Sequence, residues 1–389
     1  MSKGIKIVLG TIVPILAICV SWVGWRLTHY PTQTIPYPYF FDPHAQNSSL
    51  EAQLEEKAAQ SQILIVGDRM AKDFERFEES LSQEVSKKLS TPLKVASIGV
   101  VNEGLHRTLN RLKMLKKVPK IIIYLGGSQE LYEQKFYPAE ERRIKKNFEL
   151  YQNPKLRTLI HLWPTFSKFI YLSYKRLTLG PTPVEIEKNL DGSKFQRTAE
   201  LSFILYQTEL SELIHWAQEK EIHLVFITTP INLEIRPKLV CENAISEEIL
   251  AAQEKILEFI KISDFKSAYA SLQKIMPLSP GNAMGHFLNG FVSKKLGNYE
   301  QAMRELELAS AYDCLPWRST PVFNSIILSK ARDYEINAIN FHQLIYEDWD
   351  KNILFSSEIF PQDLYYQKLV KEIAHKLAPI LGTNMHEGP

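Results

Sequence analysis

The chain has 389 residues, 45% of them hydrophobic and 23% charged, enough apolar material for one or two cores with insertions. Its 46 basic side chains nearly balance its 44 acidic ones, and the formal charge of +2 excludes the one-sided basic excess that nucleic-acid binding requires. The three cysteines, Cys19, Cys241 and Cys314, lack the paired short spacing of a zinc or haem site, so no metal and no cofactor is expected.

Residues 7–25 read IVLGTIVPILAICVSWVGW, without a charge and about as long as a helix crossing a hydrocarbon core of about 30 Å. Lys3 and Lys6 precede the run and Arg26 follows it, which places the short N-terminal tail in the cytoplasm and the bulk of the chain outside. A cleaved signal peptide is the rival reading. Bulky Trp22, Trp25 and Leu27 stand where its small-residue cleavage site belongs. The segment 1–28 is therefore read as a signal-anchor, and the Pro-containing, then polar stretch 29–60 as a linker leaving the membrane surface.

Beyond the linker the chain alternates short apolar runs with segments of helical period. SQILIVGDRMAKDF, residues 61–74, reads as strand, tight turn and helix. LKVASIG, 93–99, ends in glycine before a helix carrying Leu105, Leu109, Leu112 and Leu115. KIIIYLGGS, 120–128, has the continuous apolar character of a central parallel strand buried on both faces. HLVFITTP, 223–230, is a fourth strand, and INAINF, ending at Phe341, a weaker fifth. Strands alternating with helices predict an α/β fold with a doubly wound, mostly parallel sheet, whose ligands bind at the carboxyl ends of the strands. Gly67, Gly99, Gly127 and Pro230 mark those ends.

Two stretches interrupt the alternation. Residues 136–195 contain WPTFSKFIYLSYKRL, an aromatic helix with basic flanks that packs on the core or lies near the bilayer. In 246–315, Phe265, Ala268 and Leu272 recur 34 residues later as Tyr299, Ala302 and Leu306. That is the tetratricopeptide period, and GNYEQAMRELELA from Gly297 resembles the second half of such a repeat. Two units are marginal alone, so the pair is expected to pack on the α/β domain, as a protein-binding concavity or as a helical spacer. The host domain then covers 61–245 and 316–382. The ends of an inserted module must meet where it leaves its host, which brings Cys241 and Cys314 together as candidates for a disulfide in an oxidising compartment.

GDRMA at Gly67, SIG at Ser97, LGGSQ at Leu125 and LFSSEIFPQDLYYQKLVKEIA from Leu354 stand in the order of the four blocks of GDSL or SGNH hydrolases. The chain resembles that family over about half its length, and the resemblance implies a flavodoxin-like sheet. In such enzymes the first block supplies a serine nucleophile after Gly-Asp. The second and third supply a glycine and an asparagine to the oxyanion hole, and the last an Asp-x-x-His-Pro base. Here Arg69 stands at the nucleophile position, Ser128 at the asparagine, Ser357 at the aspartate and Phe360 at the histidine, while Gly126, Gly127 and Pro361 match. Either Asn102 or Gly104 falls at the second-block glycine. A guanidinium does not attack a carbonyl and a phenyl ring takes no proton, so the resemblance implies an inactive relative. His106, His342 and His375 are the replacement bases to be weighed.

The residual site consists of Asp68, Arg69, Gly104, Gly127 and Ser128, suited to an anionic or saccharide ligand, with Arg69 filling the emptied pocket and pairing with Asp68 or Glu358 as the plainer reading. The expected partners are the membrane and, by resemblance to anchored SGNH-like proteins, another envelope protein such as a membrane-bound O-acyltransferase. The alternative is an active esterase or O-acyltransferase with unorthodox residues.

Overall fold

The structure, a computed structural model, describes residues 14–23, 39–40, 48–89, 92–131, 133, 135–136, 140–162, 170, 177–178, 192–240, 247–315 and 317–384. The flanks of the apolar N-terminal run, much of the linker, most of the aromatic stretch 163–177 and Cys241 lie outside the described residues. Residues 14–23 are helical. Among the described residues no helix is long and apolar enough to cross a membrane.

Two compact units divide the chain. One joins residues 1–40 to 135–179, the other 41–134 to 180–389. In the first, Tyr39–Phe40 pairs in parallel with Leu177–Thr178, and helix Glu141–Gln152 buries Ile144 and Phe148. The 136–195 insertion thus divides, its larger part grouping with the N-terminal stretch.

The second unit is built on five parallel strands: β1 (Ile63–Gly67), β2 (Val95–Ser97), β3 (Ile121–Leu125), β4 (His223–Ile227) and β5 (Asn337–Ile339). Their order in the sheet is β2-β1-β3-β4-β5, the flavodoxin-like winding with its switch point between β1 and β3. Register pairs Ile65 with Ile123 and Ile123 with Val225, so the strands end together and their loops share one pole. Side chains alternate across the sheet. Ile63, Ile65, Ile121, Ile123, Val225 and Ile227 enter one core, and Leu64, Val66, Ile122, Tyr124, Leu224 and Phe226 the other. Each such buried side chain contributes about 1.5–3 kcal/mol over its exposed state, so a one-residue slip in a central strand is prohibitive.

Helices cover both faces. The face of Leu64 and Val66 is closed by α1 (Ser48–Gln60), α4 (Leu105–Met114), α5 (Gly192–Glu219) and α10 (Pro321–Asp333). In α4 the buried Leu105, Leu109 and Leu112 recur at helical spacing. The opposite face is closed by α2 (Arg69–Phe74), α3 (Glu78–Leu89), α11 (Phe341–Tyr346) and α12 (Asp363–Asn384), with Phe77 stacked on Tyr366 at 4.8 Å.

The region of the 34-residue period forms two helix pairs, α6 (Glu247–Lys261) with α7 (Phe265–Ile275) and α8 (Ala283–Lys295) with α9 (Tyr299–Ala311). Ala268 and Ala302 are fully buried, as close helix crossing demands. Their apolar faces are continuous with the α3/α12 side of the sheet core. The ends of this module meet: Val240 bridges Asp313, and Cys314 N–H donates to the Leu239 carbonyl at 3.0 Å. Buried Asp313 ties that base, accepting from the N–H groups of Lys238, Leu239 and Leu315, from Trp317 Nε1 at 2.9 Å, and pairing with Arg318 at 3.6 Å. Cys314 is disulfide-bonded and Cys19 is free; the Cys241 end of the expected bridge falls outside the described residues.

Candidate functional site: a sealed pole at the carboxyl ends of the strands

The chain leaves β1 through Gly67, whose φ of 148° admits only glycine and where a Cβ would lie 2.0 Å from the Leu125 carbonyl oxygen. That tight exit lets Asp68 fold under the first turn of α2. The Asp68 carboxylate accepts from Met70 N–H at 2.9 Å with one oxygen and from Ser128 N–H at 2.6 Å with the other. Burial raises its carboxyl above the usual range, against the opposing pull of those two N–H groups and the nearby Arg69 charge. Asp68 is therefore a cap and a strand-to-strand tie.

Arg69 occupies the position where the resembled family carries its nucleophile. Its Nε donates to Ser128 Oγ at 3.3 Å and its Nη2 to the Trp317 carbonyl at 3.0 Å. Of the two carboxylates foreseen for this guanidinium, Asp68 and Glu358, the latter accepts from Lys238 Nζ at 2.6 Å. Asp68 acts on Arg69 through charge, its two oxygens being committed to backbone donors. The guanidinium thus links α2 to the turn after β3 and to the base of the helical module.

At the neighbouring strand end, the backbone donors are also taken by carboxylates of the chain itself. Gly104 N–H donates to Glu133 Oε2 at 3.0 Å, and Leu105 N–H to Glu130 Oε1 at 2.8 Å. A Cβ on Gly104 would lie 2.4 Å from Glu133 Oε2, so the glycine is what lets the carboxylates cap α4. Arg107 lies 2.7 Å from Glu133, and Arg111 forks onto Glu103 and Glu51, a buried charge network on the same helix. Gly127 contributes its carbonyl, which accepts from Ser319 Oγ at 2.9 Å, and Thr229 Oγ1 donates to the Gly126 carbonyl at 2.6 Å. Asn102, the other candidate for the second-block glycine, adopts φ 66° and donates its N–H to Gln129 Oε1.

The residues of the last block make other contacts. Ser357 Oγ accepts from the N–H groups of Ile359 and Phe360, a local turn, and its carbonyl accepts from Asn232 Nδ2 at 3.4 Å. Phe360 packs as a partly buried side chain on the apolar core. Of the replacement bases, His342 Nδ1 accepts from Ile231 N–H and its Nε2 lies 3.6 Å from Glu307; His106 faces Asn110 and Glu209; His375 is exposed on α12. None of these contacts is a serine hydroxyl. The structure links Asp68, Arg69 and Ser128 directly and holds Gly104 on Glu133, while Ser357, foreseen from sequence with Phe360 as a further family position, bonds within its own turn and to Asn232. Sequence reasoning missed Glu130, Glu133, Thr229, Ser319 and the Trp317 carbonyl. Only Glu130 and Glu133, close behind a strand-end turn, offered a signal: polar residues three apart facing the same pole. Among the described residues no group of three or more potential ligands is placed to hold a metal ion. No protein-family model, curated protein or solved structure matches this chain.

Proposed function

We propose that this chain is a membrane-anchored, extracytoplasmic binding protein built on an SGNH hydrolase-like frame without its catalysis. The observation that carries the reading is the Arg69 guanidinium at the nucleophile position, held by Ser128 Oγ and the Trp317 carbonyl. Two backbone donors that such an enzyme would turn toward an oxyanion, at Gly104 and Ser128, are spent on Glu133 and Asp68. The flavodoxin-like strand order and the block positions support the family resemblance. The two helix pairs with buried alanines 34 residues apart support the tetratricopeptide-like reading. Membrane attachment rests on the uncharged run 7–25 with its basic N-terminal flank. A partner of the membrane-bound O-acyltransferase type follows from the resemblance alone.

The same sealing weighs against a soluble anion at Arg69, whose α2 helix has only six residues and whose capping position is already filled by Asp68. The test is treatment of the purified chain with a fluorophosphonate probe and with short acyl esters. No serine labels, and ester turnover equals that of the heat-killed protein. Labelling of any serine in the folded chain, or turnover that heat abolishes, overturns the reading in favour of an active esterase.

A further inference from the structure

In the second unit a groove between α6 and α8 is lined by Leu257 and Phe291, with Arg236 and Lys295 at its rim beside Glu234 and Lys294, so its charges are mixed. In the first unit an exposed face is nearly of one sign. Helix Glu141–Gln152 buries Ile144, Asn147 and Phe148, the i, i+3, i+4 spacing of a helix that packs on one side. The residues between them are left outside: Arg142, Arg143, Lys145 and Lys146 are exposed, with Glu149 as the one exposed carboxylate of that helix. Arg143 lies 3.5 Å from Glu140, a surface contact of the kind that water and salt loosen, so it does not cancel the face. The next helix, Pro154–Leu162, adds exposed Lys155 and contains no acidic residue. The chain as a whole is only +2, so four cations against one anion on a single helix face is a local excess rather than a consequence of composition.

The same compact unit contains the N-terminal stretch 1–40. Tyr39–Phe40 pairs in parallel with Leu177–Thr178, so the segment that carries the cationic face is closed onto the chain leaving the apolar run 7–25. From Arg26 to Tyr39 that chain has about 13 residues, at most about 45 Å when fully extended, which leashes the pairing to the surface of a membrane entered by the run. Within the run, the helical residues 14–23 expose Ile15, Leu16, Ile18 and Val20, a contiguous apolar surface of the kind that meets lipid. Cations held within reach of a bilayer meet the phosphates of its headgroups, and several on one face bind an anionic surface where a single one would not.

We propose that the exposed face of helix Glu141–Gln152, continued by Lys155, docks on anionic lipid headgroups of the membrane that holds the N-terminal run. The proposal rests on the reading of the chain as membrane-anchored, and the experiment separates the two. The full chain is placed in lipid discs of phosphatidylcholine, or of the same lipid with about a third replaced by phosphatidylglycerol, and its lysines are acylated with a neutral N-hydroxysuccinimide ester and followed by mass spectrometry. In the anionic discs Lys146 and Lys155 react at least ~3-fold more slowly than in the neutral ones, measured against exposed Lys220 and Lys261. Salt of about 1 M, where the Debye length falls to about 3 Å, removes the difference. The Arg142→Glu, Arg143→Glu variant, altered only at exposed side chains and expected to melt with the wild type, keeps both reporter lysines and shows no difference between the discs. Equal acylation in the two discs, a fall shared by all four lysines, or protection that survives in the variant overturns the proposal; an acidic protein or a nucleic acid as the true occupant gives the first of these. Failure of the chain to enter neutral discs counts against the anchor alone. The face then stands if the wild type, and not the variant, associates with anionic discs at low salt, and falls if it does not.

Discussion

The pole at the strand ends and the groove of the helical module draw on the same ingredients, glutamates, arginines and lysines beside apolar side chains, and end in opposite states. At the pole each donor whose partner is visible meets an acceptor of the chain: Arg69 with Ser128 and Trp317, Ser128 N–H with Asp68, Gly104 N–H with Glu133. In the groove, Arg236 and Lys295 face water over Leu257 and Phe291. A buried polar group must be satisfied internally or cost about 1–3 kcal/mol, whereas an exposed cation keeps its hydration until something displaces it. The pole is consequently committed to stability, while the cations of the groove keep their hydration. Blocks that resemble an enzyme's at a strand end therefore say little about activity until the partners of their donors are known.

The sharpest way to break that contrast is at Asp313, which belongs to the base of the module and neighbours the sealed pole through Trp317. Asp313→Ala leaves the buried Arg318 guanidinium without its carboxylate and frees three backbone N–H groups and Trp317 Nε1. Burial already pulls Arg318 below the ordinary guanidinium value against the charge of Asp313, so removing that charge is costly. The expected loss is about 3–5 kcal/mol in urea unfolding. A loss under about 1 kcal/mol would mean that the base is held by other contacts and that the pole and module are energetically separate.

A matched pair of substitutions sharpens it further. Asp68→Ala strips the acceptor from Met70 N–H and Ser128 N–H inside the pole, for an expected loss of about 2–4 kcal/mol. Arg236→Ala, on the groove rim, should shift stability by no more than about 0.5 kcal/mol. Similar urea midpoints for the two variants would erase the distinction between a sealed and an open region.

How much of this was legible beforehand follows from the range of the interactions. The five strands were read from local apolar runs, and even the weak INAINF stretch became β5, because burial on both faces writes itself into consecutive residues. The helical module was legible from a period, and the approach of its ends from the requirement that an insertion return to its host. The partners at the pole were not. Gly104 meets Glu133 from 29 residues away and Arg69 meets a backbone carbonyl 248 residues away, which carries no side-chain signature at all. Asp68 and Glu358 were the carboxylates foreseen for Arg69, and Glu358 takes Lys238, brought in by the turn at the module base. Local propensity specifies elements, and only the assembled topology specifies which donors find which acceptors.

A smaller loss than at Asp313 or Asp68 probes whether the helical module has a sealed interior of its own beneath its open groove. His286 of α8 places Nδ1 2.7 Å from Glu305 Oε2 of α9 and Nε2 2.8 Å from the Pro280 carbonyl, with its ring stacked on Tyr312 at 5.4 Å. Burial acts to raise the Glu305 carboxyl, and the hydrogen bond and charge of His286 outweigh it, so the group lies below its ordinary value of 4.5. A depressed carboxylate contributes stability that is fully present above the unfolded value and is lost as pH falls through the lower folded one. Glu305→Gln keeps one acceptor for the imidazole but gives up the charge, at an expected cost of about 1–2 kcal/mol near neutral pH. The melting temperatures of wild type and variant should therefore differ near neutral pH, and the interval should close as pH falls below about 4.5. An interval that does not change between pH 7 and pH 3 would show that Glu305 contributes packing alone, and the α8–α9 pair would then owe its cohesion to Gly290, Ala302 and Leu306 rather than to a buried ion pair.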